Sequence, residues 1–293
     1  MSDILQADEE RADGLRRIAT LQVEQAIAAF SNKRLQRNEA VHQARVQCKK
    51  LRALLQLLGV TLPEVARFEN ASIRDAAAQL AHIRDADALA ETFEAFKQHA
   101  AECVSSHVLH EVHQILTQRR QLIAGEDSSV VSRIEGFISN MKTALDRVRS
   151  WPLALDGISD VMLGFAKSHQ RGRSALKACR QSPLDEAFHH WRKWTKYQFY
   201  QSNLLVKYLK GSLKRRIGLL DRLGKLLGVD HDLAVLRHEM VEAPDFRSVR
   251  QLSGVGGLLQ AVDRRRRRLQ ERSFELGKRV FSKEIERRIR ACA

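Results

Sequence analysis

Two short arrays of basic residues stand out for the chemistry they could do. His42, Arg45, Lys49 and Arg52 follow one another at helical steps, and His189, Arg192 and Lys196 repeat the first three of them at the same steps. At about 100° per residue of an α-helix, the first four fall on one stripe about 80° wide. Ala44, Cys48, Leu51, Leu54, Leu55 and Leu58 fall on the opposite side, so the helix has an apolar face for packing and a cationic face turned away. A rise of about 1.5 Å per residue spaces the cationic heads about 5 to 10 Å apart, which suits successive phosphates of an extended chain. Arg presents a planar fork to phosphate oxygens, Lys a compact charge, and His a donor that becomes a cation when phosphates raise its pKa. The adjoining Lys50 and Lys193 join the candidate set, and Lys207 falls at the same helical angle as His189. Trp191 and Trp194 fall on the apolar side.

The second array is one part of a longer repeat. Sliding the second half of the chain over the first by 147 residues places His189, Arg192 and Lys196 on His42, Arg45 and Lys49, and Leu204 and Leu205 on Leu57 and Leu58. The same offset, without a gap, places Leu227 on Leu80, Asp232 on Asp85, Leu236 on Leu89, and Arg266 and Arg267 on Arg119 and Arg120. We expect a duplication within residues 8–293, with one unit at about 8–146 and the other at about 155–290, each of about four helices. Arg119, Arg120, Arg266 and Arg267 are expected to contact ligand; Arg264, Arg265 and Arg268 of the same arginine run are read as surface charge. Asp85, Asp87, Asp230 and Asp232 are read as structural, capping a helix or orienting a nearby Arg or His.

Charge supports a polyanionic partner. The 293 residues carry 50 Lys plus Arg against 35 Asp plus Glu, a net charge of +15. Residues 1–146 carry 18 basic and 20 acidic side chains, whereas residues 147–293 carry 32 and 15. The excess lies wholly in the second unit, and its field attracts polyanions. The first unit has net charge −2 and yet keeps the stripe, which general basicity does not explain.

The elements that must position these residues are helices. Only Pro63, Pro152, Pro183 and Pro244 occur, glycine numbers 15, and good helix formers dominate. Amphipathic stretches run at about 8–30, 38–59, 65–97, 100–124, 130–150, 155–180, 184–210, 212–242 and 247–290, the last interrupted at Gly254, Gly256 and Gly257. We expect an all-α fold of two antiparallel four-helix bundles. No apolar run reaches the ~18 residues of a membrane span, and the acidic N-terminus lacks a signal peptide's pattern, so a soluble cytoplasmic protein is expected. Cys48, Cys103, Cys179 and Cys292 lie too far apart for a zinc or disulfide framework. His107, His110 and His113 spread over about 120° of helix with no second ligand cluster, so no metal or cofactor is expected. Phosphate-loop and nucleophile-elbow motifs are absent.

The segments VHQARVQCKKLRALLQLL (41–58) with HIRDADAL (82–89), and FHHWRKWTKYQFYQSNLL (188–205) with LGVDHDLAVL (227–236), resemble the two halves of a CHAD domain, the conserved histidine α-helical domain. The resemblance runs from about residue 8 to 290 and departs from the family at KYQFY (196–200), where more basic residues are usual. It implies two four-helix bundles related by a pseudo-twofold axis, basic residues lining a central cavity, binding of inorganic polyphosphate, and location at polyphosphate granules. The companion β-tunnel hydrolase signature E-x-E-x-K is missing, since EIERR (284–288) lacks the final Lys. A non-catalytic polyphosphate-binding protein is therefore expected. The alternatives are a basic helical nucleic-acid binder, and a phosphohydrolase or phosphotransferase using His42 or His189.

Overall fold

Twelve α-helices follow one another in the computed structural model, which describes residues 2–32, 34–100, 104–125 and 127–292; no strand occurs among them. They are α1 (Arg11–Ala28), α2 (Arg37–Leu58), α3 (Pro63–Gln79), α4 (Ala81–Ala100), α5 (Ser106–Gly125), α6 (Asp127–Arg149), α7 (Ile158–Gln181), α8 (Asp185–Leu204), α9 (Gly211–Glu242), α10 (Arg247–Arg250), α11 (Val255–Val280) and α12 (Lys283–Arg290). Local chemistry sets the starts. Glu39 and Gln36 form a capping box at α2, Pro63 opens α3, and the Ser282 hydroxyl accepts from the Ile285 amide at α12.

The protein is all-α, with two four-helix bundles. In the first, α1, α2, α3 and α6 close a ring in which each helix packs on two others, around Leu15, Ile18, Leu51, Leu54, Ile73, Phe137 and Met141. In the second, α7, α8, the first half of α9 and the α11–α12 end do the same around Leu176, Phe188, Trp191, Leu220, Leu223 and Val280. The 147-residue offset carries α1 onto α7, α2 onto α8, α3 with α4 onto α9, and α5 onto α11.

Three features depart from the expected pattern. First, there is a third apolar cluster, built from both halves: Phe93 and Phe96 of α4, Val108 and Val112 of α5, Leu236 and Met240 of α9, and Leu258 and Val262 of α11. Second, the stretch at 65–97 is broken into α3 and α4 at Leu80, whereas its counterpart α9 is continuous. Third, the 247–290 stretch breaks not only at the expected glycines but a second time, after α11. Gly254 takes a left-handed conformation (φ 103°) that only glycine adopts without strain, and Phe281–Ser282 separates α11 from α12.

The two bundles meet at α2, which packs on both α7 and α8. At Gly164 of α7 a Cβ atom would lie 2.0 Å from the Leu57 carbonyl oxygen, so glycine permits the helices to touch backbone to backbone. Beside this contact the buried Gln201 amide of α8 donates to the Ala53 carbonyl of α2 (2.9 Å) and to Ser168 (3.1 Å). Helices α2 and α8 are thus fixed against each other by shape and by a buried polar link. Cys48 and Cys179 are buried thiols, Cys292 is exposed, and Cys103 lies outside the described residues.

Candidate functional site

The apolar faces of α2 and α8 are consumed by the bundle cores. Leu51, Leu54 and Leu55 are at most 1% exposed; Trp191 is fully buried and Trp194 nearly so. Their cationic faces are therefore left to converge on one cleft. Lys49 is exposed to solvent, yet it lies close enough to Arg45, Arg192 and Lys196 to feel their charges. Burial, with the charges of Arg192, Arg45 and Lys196, pushes its ammonium down to about 8, against a pull from Asp232. A lysine from the first half thus shares one site with an arginine and a lysine from the second.

Helix α9 shapes the wall opposite α8. Gly224 leaves room for Lys196, whose side chain would lie 3.3 Å from a Cβ there, and Gly228 does the same for Arg192 at 3.9 Å. Burial and Arg192 lower the Lys196 pKa, while Asp221 and Asp232 oppose that. The Arg192 Nε is shielded from solvent with no protein acceptor among the described residues. Arg45 keeps one hand in the fold, donating to the Ala77 carbonyl of α3 (3.0 Å).

One turn along α2 the cleft continues as a second cationic group. Burial, then the charges of Arg52, Arg171 and Arg74, lowers the Lys193 pKa. Arg52 donates to Asn70 (3.0 Å), and Arg171 donates to Gln56 (3.0 Å) while lying over the Trp194 ring at 5.0 Å. These bonds hold the guanidinium groups and leave other N–H edges for a ligand.

At the other end the His189 ring lies against that of His231, with centroids 4.8 Å apart. Burial and Arg192 push His231 down to about 4; burial, Arg192 and Lys193 lower His189. Both rings are neutral near pH 7 and can donate through an N–H. His42 is exposed at the start of the α2 stripe.

The other six expected site residues are not part of this cationic group. Lys50 pairs with Asp3 (2.9 Å), beside the N-terminal segment. Because α8 ends at Leu204, Lys207 is off the helix and bonds Gln6, so its helical angle has no meaning. Arg119 is held by Glu239 (2.7 Å) and Asp245 and covers the Phe246 ring at 5.1 Å, tying α5 to the end of α9. Arg120 pairs with Asp87 (2.9 Å) and lines a pocket with Gln36, Arg37 and Asn38 at the start of α2. Arg266 is largely buried between Asp230 (3.1 Å) and Asp185, and its charge helps to lower the His231 pKa. Arg267 is exposed on α11.

Two of the four aspartates orient an arginine, as expected. Asp230 accepts from Arg266 and from Gln270 (3.0 Å), and Asp87 from Arg120. Asp232 faces the Lys49–Lys196 group. His113 pairs with Glu94 (2.7 Å), and no cluster of potential metal ligands occurs among the described residues. No helix among them is long and apolar enough to cross a membrane.

Arg74, Arg171 and His231 were not foreseen. Under the 147-residue offset Arg74 falls on Asp221 and Arg171 on Glu24, so a comparison of the repeats discards both. His231 falls on Arg84, although it adjoins the matched Asp232.

A family model described as the CHAD domain matches residues 17–241. The chain belongs to that family. Among solved structures, the crystal structure of the CHAD domain from the plant Ricinus communis matches with a TM-score of 0.63 at 17% identity, covering 99% of this chain and 93% of that one. PptA from Streptomyces chartreusis matches with a TM-score of 0.60 at 13% identity, covering 92% of this chain and 99% of that one. At such identities the likeness speaks to the fold alone. No curated protein matches the chain in sequence. In this CHAD domain the two histidine-bearing helices of the family pattern are α2 and α8, the pair that lines the cleft.

Proposed function

We propose that this CHAD domain binds inorganic polyphosphate in the cleft between α2 and α8, without catalysing a reaction on it. The observation that carries the reading is the meeting of Arg45 and Lys49 with Arg192 and Lys196 at one place, four cations from two helices with Asp232 opposing them. A compact cluster of like charges destabilises the free protein, and a polyanion relieves it. Arg52, Arg74, Arg171 and Lys193 extend the tract beyond the length of a single phosphate. A flexible chain of phosphates can follow such a tract, with His189 and His231 donating at its end. Location at polyphosphate granules in the cytoplasm follows from the same affinity.

A nucleic acid would share the electrostatics but gains little else here. Trp191 and Trp194 are packed in the core, so neither offers a stacking platform for bases.

The test is competition: long-chain polyphosphate against single-stranded RNA and duplex DNA at matched phosphate concentration. Polyphosphate should win, and its affinity should fall steeply with salt, as counterion release requires. Equal or better competition by either nucleic acid overturns the reading. Steady release of orthophosphate from polyphosphate by the purified protein would overturn its non-catalytic part.

A further inference from the structure

A groove of about 960 Å³ lies between the end of α7, the middle of α9 and the second half of α11. It is not the cleft. On α9 the cleft is faced by Gly224 and Gly228, whereas Arg222 and Leu226 are about 120–200° further round the helix. The groove combines two kinds of surface. Phe274, Leu226 and Leu276, all half-buried, supply an apolar floor. Arg180 of α7, Arg222 of α9 and Arg272 of α11 stand around it, one from each helix.

These three arginines are exposed, and none closes an ion pair with a carboxylate among the described residues. Two neighbouring lysines differ in this respect: Lys225 pairs with Asp221 (2.7 Å) and Lys278 with Glu275 (2.6 Å). Glu271 is the other carboxylate on the rim, so positive charge prevails there. Arg180 already lies over the Phe274 ring, 6.0 Å from its centroid, and that ring is stacked on Trp191 from behind (5.7 Å, 15° between planes). Phe274 is therefore a rigid platform whose outer side a guanidinium partly covers.

A bare phosphate chain has no use for an apolar, aromatic floor. A purely apolar ligand has no use for three unpaired arginines. A ligand that satisfies both carries a planar ring and several negative charges, and the volume suits one of small-molecule size. We propose that this groove is a second site, specific for a nucleoside polyphosphate. Its base lies on the Phe274–Leu226–Leu276 floor, and its phosphates are gripped by Arg180, Arg222 and Arg272. The site does not depend on the polyphosphate reading of the cleft, because no side chain of the groove belongs to the α2 or α8 stripes.

The experiment is calorimetric titration of the full chain with ATP, with tripolyphosphate and with adenosine. It is repeated on R222A/R272A, which alters exposed groove residues, and on R45A/K49A, which alters the cleft. ATP should bind at least about tenfold more tightly than tripolyphosphate or adenosine. R222A/R272A should weaken ATP about tenfold or more, while R45A/K49A should leave it within about twofold. ATP binding should also persist when long-chain polyphosphate saturates the cleft. No ATP binding, equal affinity for ATP and tripolyphosphate, or loss in R45A/K49A alone would overturn the groove site. If polyphosphate fails to bind while ATP still does, the cleft reading falls and the groove stands.

Discussion

The sharpest test of the cleft sets arrangement against total charge. In one variant Arg45, Lys49, Arg192 and Lys196 become Ala; in another Lys283, Arg287, Arg288 and Arg290 of α12 do. Both lose four positive charges, so any effect of net charge is shared. The first four converge in the cleft, where a phosphate meets more than one of them. The α12 residues are spread along an outer helix, with Arg287, Arg288 and Arg290 each paired to Glu284 or Glu286 of the same turn (2.6 to 3.3 Å). A charge-assisted contact to phosphate is worth about 1.5–3 kcal/mol at best, and about half of that when solvent reaches it. Four such losses remove about 3 kcal/mol or more, which weakens polyphosphate binding about a hundredfold or more. The α12 variant should lose far less. Fluorescence anisotropy with labelled polyphosphate measures both. Melting temperature provides the control, and it should stay level or rise in the cleft variant, because mutual repulsion in the free protein is removed. Equal losses of affinity in the two variants would refute the argument and reduce the protein to a basic surface.

Binding should take up protons. Near pH 8 the Lys49 ammonium is partly deprotonated in the free protein, and near pH 7 the His189 and His231 rings, both lowered by burial and Arg192, are neutral; phosphate favours the charged forms. Affinity should therefore fall as pH rises, and titration heats at pH 8 should vary with the ionisation enthalpy of the buffer; K49M abolishes that variation, and heats independent of buffer refute it. Acid stability should depend on His169. Burial, then Arg216, pushes this ring down to about 3, and it accepts from Arg216 (3.0 Å). The folded ring stays neutral while the unfolded one takes up a proton below about 6.5, so stability is lost as pH falls, by about 2 kcal/mol at pH 5. H169Q should flatten that acid limb in melting experiments, and parallel curves would contradict it. G164A places a methyl group against the Leu57 carbonyl, and should destabilise the protein by about 1–3 kcal/mol or more; an unchanged urea midpoint would show that the α2–α7 contact can yield.

The fold class was legible because every signal was local: scarce proline, helix formers, and apolar residues at helical spacing. The cleft was half legible. Arg45, Lys49, Arg192 and Lys196 lie on stripes that a helical wheel separates from the core, and the packing of α2 on α8 brings those stripes together. Arg74 and Arg171 reach the same tract from α3 and α7, where the second repeat carries acids or the first does, so likeness between halves hides them. Arg119 and Arg266 illustrate the opposite error. Their match was read as a shared ligand contact, yet each is spent on carboxylates, a pairing that depends on which helices are brought opposite and not on spacing. Lys207 failed through a helix end at Leu204, and the Leu80 break failed because α9 shows that a similar sequence can continue unbroken.

The third apolar cluster has a consequence for how the protein can be divided. Helices α4 and α5 come from one half of the chain, the end of α9 and the start of α11 from the other, and neither pair can cover its apolar face alone. A fragment ending near residue 150 would leave Phe93, Phe96, Val108 and Val112 in water. The halves are therefore obligate complements, in the manner of two subunits of a dimer joined by a short tether at 151–157. Burial of that shared cluster ties the halves together at a second place, besides the contacts of α2 with α7 and α8.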